Sequence, residues 1–161
     1  MEAKPISRSR SIQTMLVFPG ETNYHGTLFG GHLMKQIDGI CTIAAMRHCG
    51  RRVVTASVDS FDFVAPIRMG EAIELEAFVT WTGRTSMEVA CVVRAENLET
   101  GERRMAMTGF VTFVAVDADG RPAKVPAVVP ETEEEHRLHA SAAERQQQRK
   151  KRKERRDFID R

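Results

Sequence analysis

GGHLMKQIDGICTIAAMRH (residues 30–48) and, after Cys49-Gly50-Arg51, RVVTASVDSFDFV (residues 52–64) stand next to each other with different hydrophobic periods. In the first, Leu33, Met34, Ile37, Ile40, Cys41 and Ala44 recur at three- and four-residue intervals, the spacing of one helix face. Gly50 supplies the stop. The second is rich in β-branched and aromatic residues and ends before Pro66, as a strand does. One long helix feeding into strands is therefore the first expectation.

The neighbouring segments extend it. Residues 8–18 read as a short first strand or arm that Pro19-Gly20 ends. AIELEAFVTW (72–81) alternates, with Ile73, Leu75, Ala77, Val79 and Trp81 opposite Glu74 and Glu76. SMEVACVVRAEN (86–97) alternates again, and turns at 82–85 and 98–101 join these runs as hairpins. RRMAMTGFVTFVAV (103–116) becomes apolar on both faces, as a central strand would. The order implies an α+β fold, a five-stranded antiparallel sheet and one long helix. One helix covers one sheet face, so the other face and the edges call for at least a dimer. The folded domain is expected over residues 1–130.

Residues 131–161 form a charged tail, helical at its start and fraying or disordered beyond. Residues 145–161 hold nine Lys/Arg against three Asp/Glu, in a chain whose net charge is only +2. RQQQRKKRKERR (145–156) has the charge to meet nucleic acid or an anionic surface, but it lacks interleaved aromatic residues and any fold motif. A solvated terminus is the plainer expectation. No run of eighteen apolar residues suggests a membrane span, and no apolar core marks the N-terminus as a signal peptide, so a cytoplasmic protein is expected. Three cysteines (Cys41, Cys49, Cys91) without zinc spacing read as reduced thiols, and no metal site is expected.

Asp38 sits beside the apolar arc of the helix, at the margin of the buried face rather than out in solvent. A carboxylate there suits a general base near a cleft, or a helix-edge salt bridge. Gly30 and Gly31 leave the first N–H groups of the helix unobstructed, at the positive end of its dipole. Such donors can polarise a carbonyl oxygen, although a tight turn also explains the glycines. Asn23 precedes them and has an amide able to orient water or a carbonyl. His25 and His32 are rival catalysts, but His32 lies roughly 120° around the helix from Asp38, which disfavours a direct pair. Arg84 has the guanidinium to grip phosphate; Arg121 and Lys124 are weaker candidates. Val54 and Thr55 lie where a strand could run beside an extended ligand. Phe61 and Phe63 share a strand face with Asp59 and read as core.

TNYHGTLFGGHLMKQID (22–38), VVTASVDSFDFVAPI (53–67), GRTS (83–86) and FVTFVAVDADGRP (110–122) together resemble the hot-dog-fold acyl-CoA thioesterases, on the branch of the cytosolic acyl-CoA hydrolases. The resemblance runs from about Ser9 to Pro126 and leaves the tail outside. It implies a long helix wrapped by the sheet and two protomers whose sheets join. It also implies a site between protomers, with the family's Asp at Asp38 and its Asn at Asn23 on different chains. The helix-start amide falls at Gly30-Gly31, and the turn that meets coenzyme A falls on Gly83, Arg84, Thr85 and Ser86. Hexamers built as trimers of dimers are common in that family. Coenzyme A enters and leaves with substrate and product, so no separate cofactor is implied. Another acyl-thioester reaction such as hydration, and a non-catalytic acyl-CoA-binding regulator, are the alternatives.

Overall fold

The structure, a computed structural model, describes residues 1–155. Its main sheet has five strands in the order β2-β4-β5-β6-β3, formed by β2 (Ser11–Leu16), β3 (Arg52–Phe63), β4 (Ala72–Thr82), β5 (Ser86–Glu96) and β6 (Arg103–Val116), all antiparallel. The expected first strand shortens to β2, because a 3₁₀ turn at Ile6–Ser9 precedes it. A parallel pair of short strands, β1 (Lys4–Pro5) and β7 (Val128–Val129), ties the two ends of the domain together.

Helix α1 (Gly30–Cys49) lies on one face of the sheet and ends at Gly50, whose φ of +65° closes the last turn. Leu33, Ile37, Ile40, Cys41 and Ala44 are buried against Leu75, Val79, Met87, Cys91 and Phe113. Each aliphatic side chain of that size removed from water contributes roughly 2 kcal/mol. This layer is the core.

Part of the opposite face, which the sequence reading assigned to a partner, is covered within the chain. A second helix, α2 (Glu133–Arg155), is continuous to the last described residue and lies across it. Thr132 and Glu135 form a capping box: Glu135 N–H donates to Thr132 Oγ1, and Thr132 N–H to Glu135 Oε2, both at 3.2 Å. Arg10 then joins Glu135 to Glu76 on β4. Ala142 is fully buried and Leu138 packs against the core. Further along, Arg145, Arg149 and Arg152 reach acids on β5 and β3. The solvated tail expected from 131 onward is thus, through residue 155, an integrated element. Its burial runs on ion pairs, which an apolar pattern does not reveal. The end of the basic run, at 156, lies outside the described residues.

Strand β3 is an edge and is irregular. Its pairing with β6 shifts register between Thr55 and Ser57 and again between Asp59 and Asp62. Ser60 has φ +42°, a left-handed conformation at a non-glycine residue. The second shift undoes the strand face assumed for Asp59, Phe61 and Phe63. Asp59 is buried beneath α2, Phe61 lies on Gly109, and Phe63 is 60% exposed. A Cβ at Gly109 would stand 2.6 Å from the Phe61 ring, so glycine is required for that close approach.

Candidate active site

The approach to α1 is a small closed loop. Asn23 N–H donates to Thr27 O at 2.8 Å, and Gly26, at φ +77°, allows the reversal. The Asn23 side chain holds the turn from inside: its Oδ1 accepts from His25 N–H at 2.9 Å, and its Nδ2 donates to Thr27 Oγ1 at 3.0 Å. Thr27 takes one of the two amide hydrogens, which leaves the other for a ligand. Asn23, Thr27, Gly30, Leu33, Phe63 and Pro66 line a cavity of about 390 Å³. No side chain among the described residues caps α1, so the first-turn N–H groups of Gly30 and Gly31 are left to an incoming acceptor.

Asp38 is two turns further along α1, about 12 Å by helical rise, and does not line that cavity. Thr55 on β3 donates to Asp38 Oδ1 at 2.8 Å. Both residues are exposed in the single chain, whereas the sequence placed Asp38 at a buried margin. The difference lies in the neighbourhood: β3 is an edge strand, so nothing beyond it shields that flank of the helix. Behind Asp38, Cys41 is buried, and its thiol is pushed well up by a hydrogen bond with Cys91, by burial and by the charges of Cys91 and Asp38. A thiol so held is neutral at physiological pH and no nucleophile. His32 turns away, with Nε2 3.3 Å from Glu21 Oε1, and His25 lies against Tyr24. Neither imidazole makes the pair with Asp38 that acid–base hydration would need.

The turn Gly83–Ser86 closes the β4–β5 hairpin. Gly83 N–H donates to Ser86 O at 2.8 Å, and a Cβ at Gly83 would meet Trp81 and Ser86 Oγ at 2.9 Å. The carbonyls of Thr85 and Arg84 accept from Ala115 and Val125, fastening the turn to the end of β6 and the chain beyond it. Arg84 projects into solvent, as do Arg121 and Lys124 on the following loop. Val114 on β6 is the register partner of both Ser86 and Val54. The fold therefore gathers Val54, Thr55, Asp38 and the Gly83–Ser86 turn at one corner, and Asn23, Gly30 and Gly31 at another. Among the described residues no group of three or more His, Cys, Asp or Glu side chains is placed to hold a metal, and no helix is long and apolar enough to cross a membrane.

The Thioesterase superfamily matches residues 25–102. An acyl-CoA thioester hydrolase of Bacillus subtilis is 53% identical over 89% of this chain and 83% of its own. The chain belongs to the acyl-CoA thioester hydrolases of the thioesterase superfamily. An apo-hexameric acyl-CoA thioesterase superposes with a TM-score of 0.92 at 52% identity, over 94% of this chain and 97% of the other. An acyl-CoA hydrolase from Staphylococcus aureus, solved with butyryl-CoA, CoA and CoA disulfide, superposes with a TM-score of 0.92 at 40% identity, over 98% and 97%. That enzyme has also been solved with an aspartate, an asparagine and a threonine each replaced by alanine. The hot-dog fold and thioester hydrolase activity expected from the sequence are thus shown for this chain.

Two features of this hydrolase escaped the sequence. Thr55 was assigned to a ligand-lining strand, but its hydroxyl is spent on Asp38. Phe63, read as core, is instead a wall of the Asn23 cavity, its ring 3.2 Å from where a Gly30 Cβ would lie. Both depend on how α1 crosses β3 and on the β3 irregularity, which no local pattern encodes.

Proposed function

We propose that this hydrolase cleaves acyl-CoA to a free acid and coenzyme A at a site assembled from two protomers. The observation that carries this reading is the separation of Asp38–Thr55 from the Asn23–Gly30 cavity within one chain. A second copy joined along the β3 edge would bring one chain's Asp38 to the other's Asn23. The aspartate, asparagine and threonine altered in the S. aureus hydrolase have the same order and spacing as Asn23, Asp38 and Thr55 here, which supports these residues as the machinery.

The thioester carbonyl rests against the Gly30 and Gly31 N–H groups, which stabilise the oxygen as it gains negative charge. Asp38, oriented by Thr55, either deprotonates a water or attacks the carbonyl itself. Asn23, which lines the same cavity as Gly30 and so comes with those glycines from the protomer opposite Asp38, positions the water or the carbonyl. The tetrahedral intermediate collapses by breaking the carbon–sulfur bond. The coenzyme A thiolate is a good leaving group, so no strong general acid is needed. The Gly83–Ser86 turn, with Arg84, meets the phosphates of coenzyme A, while Val54 and Thr55 flank the pantetheine arm. Dimers assemble further into a hexamer, and the reaction belongs to the cytoplasm.

The test is release of free thiol from a panel of short to long acyl-CoAs, by the native protein and by Asp38→Asn. Native turnover that drops by about 10²–10⁴ in the folded variant is expected. An equally active variant would make Asp38 a structural acid. Tight binding without turnover by the native chain would favour an acyl-CoA-binding regulator.

A further inference from the structure

Glu88 on β5 is fully buried, on the sheet face away from α1. Its carboxylate accepts from Thr80 Oγ1 at 2.8 Å, from Arg145 Nε and Nη2 at 3.1 and 2.8 Å, and from Arg149 Nη1 at 2.8 Å. The same Arg149 nitrogen reaches Asp59 Oδ2 on β3 at 2.9 Å. Asp59 is 7% exposed and is also held by Arg152 and by Ser57 Oγ at 2.8 Å. Between the two acids runs β6, and there Arg145 lies 4.1 Å from the centre of the Phe110 ring. One arginine of α2 therefore ties an interior strand to an edge strand across the strand that separates them.

The place where it grips β3 is specific. Ser57 and Asp59 lie between the two register shifts of β3, where that strand departs from regular pairing with β6. Thr55, the residue that orients Asp38, sits at the start of the first shift. Each such interruption leaves residues out of the ladder and bends and twists the strand, so contacts outside the ladder bear on where this segment lies. The arginines of α2 fix it from the outer face.

We infer that Arg149, acting through Asp59 and the bulged segment of β3, is a positioning residue for catalysis: it holds Thr55 where its hydroxyl aims the Asp38 carboxylate. The C-terminal helix is then a working part of the site, although it touches neither the Asn23 cavity nor the Gly83–Ser86 turn. The inference rests on the functional reading above, in which Asp38 is the reacting carboxylate.

The test is a double-mutant cycle in the full-length protein with Arg149→Met and Thr55→Val, reading kcat, KM and melting temperature. Each single variant is expected to lose about tenfold in kcat, from a carboxylate no longer held in its productive orientation. KM is expected to change little, and the double variant to lose no more than the worse single one, because both act on the same contact. Arg149→Lys, which keeps the charge but spans fewer acceptors, is expected to recover part of the rate. It carries the test if Arg149→Met does not fold. Arg10→Met, at the other end of α2, serves as the control and is expected to lower melting temperature while leaving kcat near native. Losses in kcat that multiply in the double variant, or a native kcat in a destabilised Arg149→Met, would overturn the inference. Failure of the functional reading looks different: the native protein would release no thiol from acyl-CoA.

Discussion

Asp38 lies where water reaches it in the single chain, and the Thr55 hydroxyl donates to it. That suits a group that must accept a proton from water or attack a carbonyl. The glycines at the start of α1 separate stability from function at single-residue scale. Glycine within a helix costs up to about 1 kcal/mol relative to alanine. A Cβ at Gly30 would meet only the exposed Phe63 ring, at 3.2 Å. Gly30→Ala is therefore expected to leave the melting temperature level or raised, while kcat for thiol release falls about tenfold as the methyl crowds the carbonyl seat. Unchanged turnover in that variant would return the glycine to a packing role. The sequence marked Asn23, the glycine pair and Asp38 as candidates through side-chain type, through their place at or before a helix start and along it, and through the family resemblance. The Thr55–Asp38 bond joins residues 17 apart in sequence across two elements, so it was not legible there.

At the scale of elements, α2 shows where sequence reading runs out. Glu135, Leu138, Ala142, Arg145, Arg149 and Arg152 recur at three- and four-residue intervals, a stripe facing the sheet that is buried at Glu135 and Ala142, half-buried at Leu138, Arg145 and Arg149, and exposed at Arg152. Only Leu138 and Ala142 in it are apolar, so a hydrophobicity pattern passes over the rest. Its partner Glu88 sits between Met87 and Val89, where strand alternation reads it as solvent-facing. A buried acid with arginine partners is costly to break. Glu88→Gln is expected to destabilise the fold by roughly 3 kcal/mol in chemical denaturation, since Arg145 loses its counter-charge and Arg149 keeps only Asp59. A loss below about 0.5 kcal/mol would mean the helix is held by its N-terminal contacts alone. The ion pairs at Asp59 also have a pH signature. Burial pushes the Asp59 carboxyl up, but hydrogen bonds from Ser57, Arg152 and Arg149 outweigh it and hold the group below its usual range. The proton then binds the unfolded chain more readily than the folded one. Asp59 accordingly contributes fully above its unfolded value of about 3.9 and loses that contribution as pH falls through the lower folded value. Melting temperature is expected to fall less steeply below pH 4 in Asp59→Asn than in the native chain, and an identical slope would contradict the pairing. α1 and strands β3 to β6 are legible to within a residue or two, because period and turn chemistry agree there, whereas β2 is shorter than its segment suggests and the two-residue strands β1 and β7 carry no pattern.

For the whole molecule, the two sheet edges differ. β2 is short, while β3 is long and presents exposed Val54 and Val58 toward the Asp38 corner and exposed Phe63 at the Asn23 cavity. An unpaired edge with apolar side chains is the natural seam for a second copy. Val58→Lys is expected to shift the protein toward monomers in light scattering and to abolish turnover with the fold intact. A monomer that still cleaves acyl-CoA would place the complete site within one chain. The sequence expectation of a dimer rests on one helix facing a two-sided sheet; α2 covers part of the outer face within the chain, and the β3 edge remains unpaired.

The most direct measurement is subunit complementation. Asn23→Ala and Asp38→Asn, each inactive as a homo-oligomer, are unfolded together in denaturant, refolded as a mixture and assayed for thiol release. If each site takes its asparagine from one protomer and its aspartate from the other, every mixed dimer keeps one intact site, and the mixture recovers about a quarter of native turnover. A mixture as inactive as its two parents would show that Asn23 and Asp38 act within the same chain.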